Sequence, residues 1–280
     1  MLQIEIVILH SGRVNRLREC LARVAPLAQS PGVTVRVSDN SGKRTAAPLA
    51  VDYPAIPFKH RKRCTFPEHF NVNATEAQAE IVVLLHDDDA LKPDYIAAIR
   101  DTFADPEVVA VSTNAQLEGV EGTNHGLFAT LPGNQTLRKP DQLLLAYFVN
   151  GTSAFCPFSM YAYRRSALLA RRYRDDVAGK YSDVSYIASQ LELGTIRWLD
   201  APLGIVGHHG DNDSHSEASR DRALQFNAME RLPIAAATLR LAQRHIGRKI
   251  FMKLAADLYH FRKPSLSLST YLSVARRCLR

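Results

Sequence analysis

Short apolar runs alternate with amphipathic segments along the first 115 residues of the chain. Unbroken apolar runs predict buried strands, and apolar residues that recur every three or four positions predict helices. The predicted strands are residues 4–9, 33–37, 56–59, 81–85 and 108–112. The predicted helices are residues 14–28, 68–79 and 95–103. This alternation predicts an α/β fold with a doubly wound, mostly parallel sheet.

The rest of the chain changes character twice. Residues 116–160 are irregular and interrupted by glycine and proline, and helices at 167–173 and 182–193 and a strand at 195–199 follow. Beyond Ser216 the pattern is helical, with stretches at 223–231, 234–245, 249–261 and 271–279. We therefore expect an α/β domain over 1–216, with halves at about 1–115 and 116–216, and a helical C-terminal extension over 217–280.

An acidic run, Asp87-Asp88-Asp89, follows His86 directly after the apolar strand at 81–85. Three carboxylates at the end of a buried strand repel one another and lose hydration, which a divalent cation offsets. The chain then restarts as a helix from Ala90, with Pro93 suited to its first turn. The alternative is a solvated acidic turn. A simple turn, however, would not need three acids and would be expected to contain glycine. The pattern favours a metal-binding edge.

Other polar residues end the first two predicted strands. His10 follows the first strand, and Asp39 follows the second within the turn signal at 38–42. In doubly wound sheets, ligands bind at the carboxyl ends of the parallel strands. We expect His10, Asp39 and the acidic run to converge on one cleft.

Charge is unevenly distributed along the 280 residues, whose net charge is +7. Residues 220–280 hold thirteen Lys/Arg and three Asp/Glu, whereas the preceding residues hold 22 basic and 25 acidic groups. The main domain therefore lacks the basic stripe of a nucleic-acid-binding protein.

No run reaches the ~18–20 apolar residues that span a bilayer. The N-terminus does not resemble a signal peptide and the four cysteines are scattered, so we expect a cytoplasmic protein.

Five segments resemble, in order, motifs of the family-2 glycosyltransferases. They are the turn Val37-Ser38-Asp39-Asn40-Ser41-Gly42, the segment His69-Phe70-Asn71 with Ala79-Glu80, the acidic strand end with Pro93-Asp94-Tyr95, the segment Ser182-Asp183-Val184-Ser185-Tyr186 with Leu193-Gly194 and Trp198, and His209-Gly210-Asp211-Asn212-Asp213-Ser214. Together they cover residues 1 to about 216.

The resemblance implies a GT-A-type fold that transfers a sugar, with inversion, from a nucleotide-diphosphate donor. UDP-, dTDP- or GDP-linked donors and a glycan or lipid-linked acceptor of surface polysaccharide biosynthesis are the expected substrates. A divalent cation held by carboxylates neutralises a diphosphate leaving group, and Mn²⁺ or Mg²⁺ suits oxygen ligands. Asp87 and Asp89 match the two acids of the DxD motif, with Asp88 and Asp89 as the competing pair. We expect Asp89 to bind the metal and Asp87 to serve the ribose or the metal shell.

Displacement of the diphosphate also needs a general base for the acceptor hydroxyl, and the resemblance implies Asp183. The alternative is that Ser182 or Asp183 is only a helix N-cap. Asp175 and Asp176 are the second choice, although the neighbouring arginines favour a solvated charge cluster there.

Four further residues complete the predicted site. Asp39 is expected to accept a hydrogen bond from the donor base, with an Asx-turn as the alternative. His10 is expected to contact the nucleoside through backbone atoms, because the family's usual Thr-x-Asn-Arg pattern is replaced by His10-Ser11-Gly12-Arg13. Arg61, with Lys62 and Arg63, is expected to offset diphosphate charge or to lie in a solvated loop. His209 is a phosphate or metal candidate, or a residue of an exposed loop.

Two regions allow more than one interpretation. Aromatic residues at 155–163 (Phe155, Phe158, Tyr161 and Tyr163) form an acceptor wall or part of the core. The basic helices of 217–280 contact an anionic membrane surface, pack on the catalytic domain or join a second subunit.

Two other functions fit part of the pattern. A nucleotidyltransferase or phosphohydrolase on this sheet needs a glycine-rich phosphate loop after the first strand, which Gly12 alone does not supply. A catalytically inactive carbohydrate-binding or scaffold protein would retain the fold without the chemistry.

Overall fold

The computed structural model describes residues 1–119, 123–129, 133–149, 157–207 and 219–279. Its strands are β1 (Ile4–His10), β2 (Val33–Asp39), β3 (Phe58–His60), β4 (Ile81–His86), β5 (Ala90–Leu91), β6 (Val108–Glu118), β7 (Asn124–Leu127), β8 (Gln135–Leu137), β9 (Ala162–Arg164) and β10 (Thr195–Gly207). Its helices are α1 (Val14–Val24), α2 (Leu49–Asp52), α3 (Phe66–Glu76), α4 (Tyr95–Phe103), α5 (Pro140–Val149), α6 (Arg165–Ala170), α7 (Ser182–Gln190), α8 (Ser219–Ala228), α9 (Ala236–Tyr259) and α10 (Leu268–Cys278).

All ten of these strands form a single mixed sheet in the order β3-β2-β1-β4-β9-β6-β10-β5, with β7 beside β6 and β8 beside β10. The first four strands in this order are parallel. The short strand β9 is antiparallel to both of its neighbours, whereas β6 and β10 are parallel to each other. The sheet confirms the predicted α/β architecture with mostly parallel central strands.

The C-terminal half of the sheet extends further than the sequence pattern predicts. The strands β6 and β10 continue well past the expected ends at residues 112 and 199, through polar and proline-containing sequence. Register shifts around Pro202 mark where β10 accommodates a residue that cannot donate a ladder hydrogen bond. The helix predicted at 95–103 is α4, but Ala90–Leu91, expected to lead into it as helix, pairs with β10 as strand β5.

The C-terminal helices share an apolar core with the sheet. Phe226 of α8, Ile246 of α9 and Val274 of α10 are buried in the same cluster as Leu84 of β4. The boundary predicted at residues 216 and 217 lies outside the described residues.

The separate helical stretches expected at 234–245 and 249–261 are one continuous helix, α9. A Cβ on Gly247 would lie 2.4 Å from the Sγ of Cys278, so the glycine allows α10 to cross α9 closely. Within the described part of the chain, no helix combines the length and the apolar character needed to cross a bilayer.

Candidate active site

The parallel register brings the polar strand ends to one edge of the sheet. His10 is paired with Asp39 across β1 and β2, Asp39 with His60 across β2 and β3, and Leu9 with His86 across β1 and β4. Side chains at the carboxyl ends of β1 to β4 therefore lie next to one another, which is the ligand-binding edge of a doubly wound sheet. The predicted convergence of His10, Asp39 and Asp87 is present in the structure.

Asp87 is completely buried and held by three donors. His10 Nδ1 lies 2.7 Å from Asp87 Oδ2, and the backbone N–H of Ser11 donates to the same oxygen at 3.2 Å. Arg13 donates from Nη2 to Asp87 and from Nη1 to Asp88 at 2.6 Å. Since a carboxylate only accepts, His10 Nδ1 carries the proton, and His10 Nε2 lies 2.9 Å from Thr45 Oγ1. His10 is thus buried behind Asp87, and Arg13 fixes two of the three acids.

Asp39 is also buried, and its carboxylate is fully engaged by the protein. One oxygen accepts from the N–H of Ser41 at 2.9 Å, and the other accepts from the N–H of Ala46 at 3.1 Å and lies 3.0 Å from His60 Nδ1. Burial alone would raise its pKa, but the hydrogen bonds from Ser41, His60 and Ala46 outweigh burial and lower it. The Asx-turn geometry considered for Asp39 is therefore present, and this carboxylate anchors the loop that follows β2.

Three groups at the end of β4 have the arrangement of a cation site. His86, Asp88 and Asp89 each offer one ligand atom, and these atoms all lie within 4.8 Å of one another. Burial, and then the charge of Asp88, raise the pKa of Asp89 to about 6. The raised pKa is what two crowded carboxylates show without a counter-charge, so this donor set fits a divalent cation.

Hydrogen bonds fix Asp89 from the opposite side. The Oγ of Ser159 donates to Asp89 Oδ2, and the N–H of Gly207 in β10 donates to Asp89 Oδ1 at 2.9 Å. A Cβ at residue 207 would lie 2.4 Å from the backbone oxygen of Asp88, so a glycine is needed for this approach. The end of β10 thereby positions Asp89 without covering its neighbours.

A cleft of about 390 Å³ lies beside the acidic run, above the ends of β1 and β2. Ser11, Arg13, Asn40 and Arg63 line it, with Cys64, Thr65, Phe66, His69, His86 and Leu9 completing the wall. Asn40 fixes the opposite wall, because its side chain exchanges hydrogen bonds of 2.8 and 2.9 Å with the backbone of Cys64. The cleft is therefore lined by two arginines, and Asn40 ties its wall to the backbone of Cys64.

Arg61 does not line this cleft. Its guanidinium is bonded to Glu76, to Ser38 Oγ at 2.7 Å and to Asn73. These bonds commit Arg61 to the packing of α3 on β2 and β3, whereas the exposed Arg63, two residues later, lies at the cleft.

A larger cavity, of about 780 Å³, lies on the other side of His86. Asp183 and His86 both line it, together with Phe66, Pro67, Phe158, Tyr173, Asp175, Asp176, Gly179, Lys180, Arg220, Asp221 and Leu224. Phe66 and His86 are common to both cavities, so the two spaces meet at the end of β4. The predicted base residue, Asp183, and His86 of the predicted metal edge therefore line the same cavity.

Asp183 lies in the first turn of α7, half-buried in the cavity wall. Tyr181 is the N-cap of α7, so neither Ser182 nor Asp183 has the capping role considered above. Burial raises the pKa of Asp183 to about 6, opposed by a 2.8 Å hydrogen bond from the N–H of Val184 and by the charge of His86. A carboxylate with a pKa near neutrality in a cavity has the protonation behaviour of a general base.

Aromatic side chains line the larger cavity together with Asp183 and His86. Phe66, Phe158 and Tyr173 line the larger cavity, and their ring centroids lie 5.5 to 6.4 Å apart. Asn71 of α3 holds this wall in place, since its side chain exchanges two 2.9 Å hydrogen bonds with the backbone of Tyr173. Of the aromatic residues predicted as an acceptor wall, Phe158 lies at the cavity, Tyr161 and Tyr163 are core residues, and Phe155 is outside the described residues.

Several residues of the site were not identified from the sequence. Phe66 and Tyr173 belong to no motif, Arg13 lies in the segment that departs from the family's pattern, and His86 was considered only as part of the acidic run. The replacement of the usual Thr-x-Asn-Arg pattern by His10-Ser11-Gly12-Arg13 still ends in arginine, which is the one signal for Arg13. His209, with Asn212 and Ser214, lies outside the described residues.

Comparison with known proteins finds similarity at the level of structure. No protein-family model and no curated protein sequence matches the chain. The structure superposes on S. aureus TarS (residues 1–349, with UDP-GlcNAc) with a TM-score of 0.65 and 11% identity, covering 97% of this chain and 79% of that one. It superposes on the mannosyltransferase PcManGT of Pyrobaculum calidifontis, solved with GDP-Man and Mn²⁺, with a TM-score of 0.58 and 17% identity, covering 98% and 79%. The chain therefore has the GT-A fold of these glycosyltransferases, as its sequence motifs predicted.

Proposed function

We propose that the protein is an inverting, metal-dependent glycosyltransferase that moves a sugar from a nucleotide diphosphate to a hydroxyl of a glycan or lipid-linked acceptor. The observation that supports the proposal is that Asp183, a carboxylate of raised pKa, lines the same cavity as His86, a member of the cation-type cluster. A role in surface polysaccharide biosynthesis, in the cytoplasm, is the setting that the sequence motifs suggest.

The smaller cleft is the proposed site of the nucleotide. Its floor is the edge of the parallel strands, and Arg63 supplies positive charge for a diphosphate. Asp87, Asp39 and His10 act on the donor by fixing the loops that form this floor. The fold neighbours were solved with UDP-GlcNAc and with GDP-Man, so a uridine or guanosine diphosphate is the first donor class to test.

A divalent cation fits the acidic strand end. His86, Asp88 and Asp89 are the residues that would hold it, while Arg13 and His10 keep Asp87 turned inward. When bound, such an ion neutralises the charge that develops on the diphosphate leaving group. The neighbour PcManGT was solved with Mn²⁺, and a histidine among the ligands suits Mn²⁺ better than Mg²⁺.

Asp183 is the proposed general base of a single displacement. The acceptor hydroxyl oxygen forms a bond to the anomeric carbon while the bond from that carbon to the diphosphate oxygen breaks. The hydroxyl proton passes to the carboxylate of Asp183, and the electron pair of the broken bond leaves with the nucleoside diphosphate. Attack on the face opposite the leaving group inverts the anomeric configuration. The aromatic wall of the larger cavity offers ring faces on which an acceptor sugar can stack.

Thermal denaturation with nucleotides tests the donor half of this proposal. We expect UDP or GDP to raise the melting temperature, and Mn²⁺ to increase the shift, because a ligand that binds only the folded state stabilises it. Asp89→Asn should remove the Mn²⁺-dependent part of the shift. Asp94→Asn is the matched control, because Asp94 is an exposed acid that follows the acidic run and lies outside the cavities. If no nucleoside diphosphate stabilises the protein, with or without Mn²⁺, the proposal is wrong.

A further inference from the structure

The connection between α9 and α10 exposes large apolar side chains to solvent. We call residues 258–268 the α9–α10 tip. Within it Phe261 is 99% exposed, Tyr259 80% and Leu268 73%, and Leu258 is also exposed. Leaving such side chains in water is unfavourable relative to burying them. Exposed apolar residues that are clustered mark an interaction surface, whereas single ones need no explanation.

The tip is held in this shape by its backbone. The N–H of Phe261 donates to the oxygen of Leu258 at 3.1 Å, and the N–H of Arg262 donates to the oxygen of Asp257 at 2.7 Å. Phe261 has a φ of 53°, which is uncommon for a bulky residue. This turn ends α9 and directs the Phe261 ring away from the core formed by α8, α9 and α10.

The charge around the exposed rings is of one sign. Arg262 and Lys263 directly follow Phe261 and are exposed, and the sequence from 258 to 279 holds four Lys/Arg and no Asp or Glu. The preceding acid, Asp257, is buried and paired with Lys253. Rings and cations therefore project together, without a neighbouring carboxylate in the sequence to neutralise them.

The outer face of α10 continues this surface. Leu268, Leu272 and Arg276 recur at a spacing of four residues, so they lie along one face of the helix, and all three are exposed. A shallow cleft of about 320 Å³ on this face is lined by Ser269, Leu272, Ser273, Arg276 and Arg277. Hydroxyl groups and guanidinium groups around a shallow cleft are suited to a phosphate-bearing headgroup.

We propose that the α9–α10 tip and the outer face of α10 bind the surface of an anionic lipid bilayer. Aromatic rings settle at the interface between headgroups and acyl chains, and each Lys or Arg near an anionic membrane contributes about 1 kcal/mol. A second copy of the chain is the weaker alternative, because two surfaces of the same positive charge repel each other.

The tip is connected to the larger cavity through the start of α8. Ser265 Oγ donates to Ser219 Oγ at 2.8 Å, and the next two residues, Arg220 and Asp221, line the cavity. A membrane bound at the tip would thus lie close to the mouth of the proposed acceptor site. This step, which rests on the proposed function, implies an acceptor that is carried on a membrane lipid.

Vesicle binding tests the surface without reference to activity. Co-sedimentation with vesicles of phosphatidylcholine alone is compared with vesicles that also contain phosphatidylglycerol. We expect binding only to the anionic vesicles and weaker binding at raised salt. The double variant Arg262→Gln/Lys263→Gln should lose roughly thirty-fold in affinity, which corresponds to two charges. Phe261→Ser should lose about tenfold, because the ring no longer enters the interface.

Val51→Ser is the matched control, because Val51 is 81% exposed but lies on α2, far from the tip in sequence. It should bind vesicles like the parent chain, and all variants should keep the parent melting temperature. In Phe261→Trp, tryptophan emission should shift to the blue on addition of anionic vesicles, since the native Trp198 is buried. The proposal is overturned if binding ignores lipid charge, if Phe261→Ser binds like the parent, or if Phe261→Ser instead abolishes a dimer seen by analytical ultracentrifugation. Nucleotide-induced thermal shifts test the proposed function separately.

Discussion

The two sides of the cleft treat the same side chain, aspartate, in opposite ways. At the ends of β1, β2 and β4, Asp39 and Asp87 are buried, and every carboxylate oxygen accepts a hydrogen bond from the protein. In the larger cavity, burial raises the pKa of Asp183 to about 6, although its carboxylate accepts hydrogen bonds from the backbone N–H of Val184 and from its own backbone N–H. On the first side Asp39 and Asp87 hold loops in place, whereas on the second side Asp183 is available to exchange a proton.

The comparison shows that burial alone does not identify a catalytic acid. Burial raises the pKa of both Asp39 and Asp183, but three hydrogen bonds reverse the direction at Asp39. A buried carboxylate with saturated hydrogen bonds is a structural anchor, whereas one with few donors in a cavity is a candidate for proton transfer.

The largest expected effect is on transfer, in Asp183→Asn. The amide cannot take the acceptor proton, so we expect the turnover number to fall by about 10³-fold. The melting-temperature shift with nucleotide should be unchanged, because Asp183 does not line the smaller cleft. Asp176→Asn is the control, since Asp176 is an exposed residue of the same cavity that pairs with Arg174. Equal losses in both variants would contradict the assignment of the base.

The next effect is on stability, in Asp87→Ala. Removing this carboxylate leaves His10 buried and Arg13 without one of its two partners, so we expect a loss of about 3 kcal/mol in the free energy of unfolding. Urea denaturation measures it. Asp94→Ala, at an exposed acid seven residues later, should change stability by less than about 0.5 kcal/mol. A loss at Asp87 no larger than at Asp94 would show that the network is not a structural anchor.

Replacing aspartate by asparagine should change the free energy of unfolding in opposite directions at Asp39 and at Asp183. Asp39→Asn places an NH₂ group against the donors of Ser41 or Ala46, and we expect a loss of about 2 kcal/mol. Asp183→Asn should instead stabilise the protein by about 1–2 kcal/mol at pH 7, because a buried charge is removed.

The stabilisation by Asp183→Asn should depend on pH. The carboxyl of Asp183 loses its proton near pH 3.8 when unfolded and near pH 6 when folded, so unfolding releases a proton between these values. The native aspartate therefore costs stability as pH rises through this window, and the gain from Asn should shrink as pH falls from 7 to 4. Urea titrations at several pH values measure it, and a pH-independent gain would contradict the raised pKa.

The pH dependence of the reaction gives a smaller effect of the same origin. Only the ionised form of Asp183 accepts a proton, so the turnover number should fall by about tenfold between pH 7 and pH 5. The residual activity of Asp183→Asn should lack this step. If the turnover number of the parent protein does not change between pH 5 and pH 7, Asp183 is not the general base.

The smallest effect distinguishes the two arginines of the basic run. Arg63→Ala should raise the dissociation constant for a nucleoside diphosphate by about fivefold with little change in stability, because Arg63 lines the smaller cleft. Arg61→Ala should lower the free energy of unfolding with little change in the dissociation constant, since it leaves Glu76 without its guanidinium partner. Isothermal titration and urea denaturation together measure the pair, and a nucleotide effect at Arg61 that exceeds the one at Arg63 would reverse the assignment.

The local sequence pattern was sufficient to predict the strands and helices whose own residues form a buried run or a buried face. The apolar runs of β1, β2 and β4 and the periodic helix α4 were predicted close to their observed bounds, because a buried strand or an amphipathic helix needs its own residue pattern. The long ends of β6 and β10 and the two-residue strand β5 were not predicted. Their pairing is decided by neighbouring strands, which the local pattern does not contain.

For the site, the sequence by itself determined the identity and order of the acids and that they follow strands. Only the tertiary structure decided their roles, because hydrogen bonds between residues far apart in the chain, such as His10 with Asp87 and Ser159 with Asp89, set which acids are anchored. The tertiary structure also decided that Arg13 and Arg63 line the smaller cleft and that Arg61 does not. A pKa depends on the partners and the burial of a carboxylate, and both arise from folding.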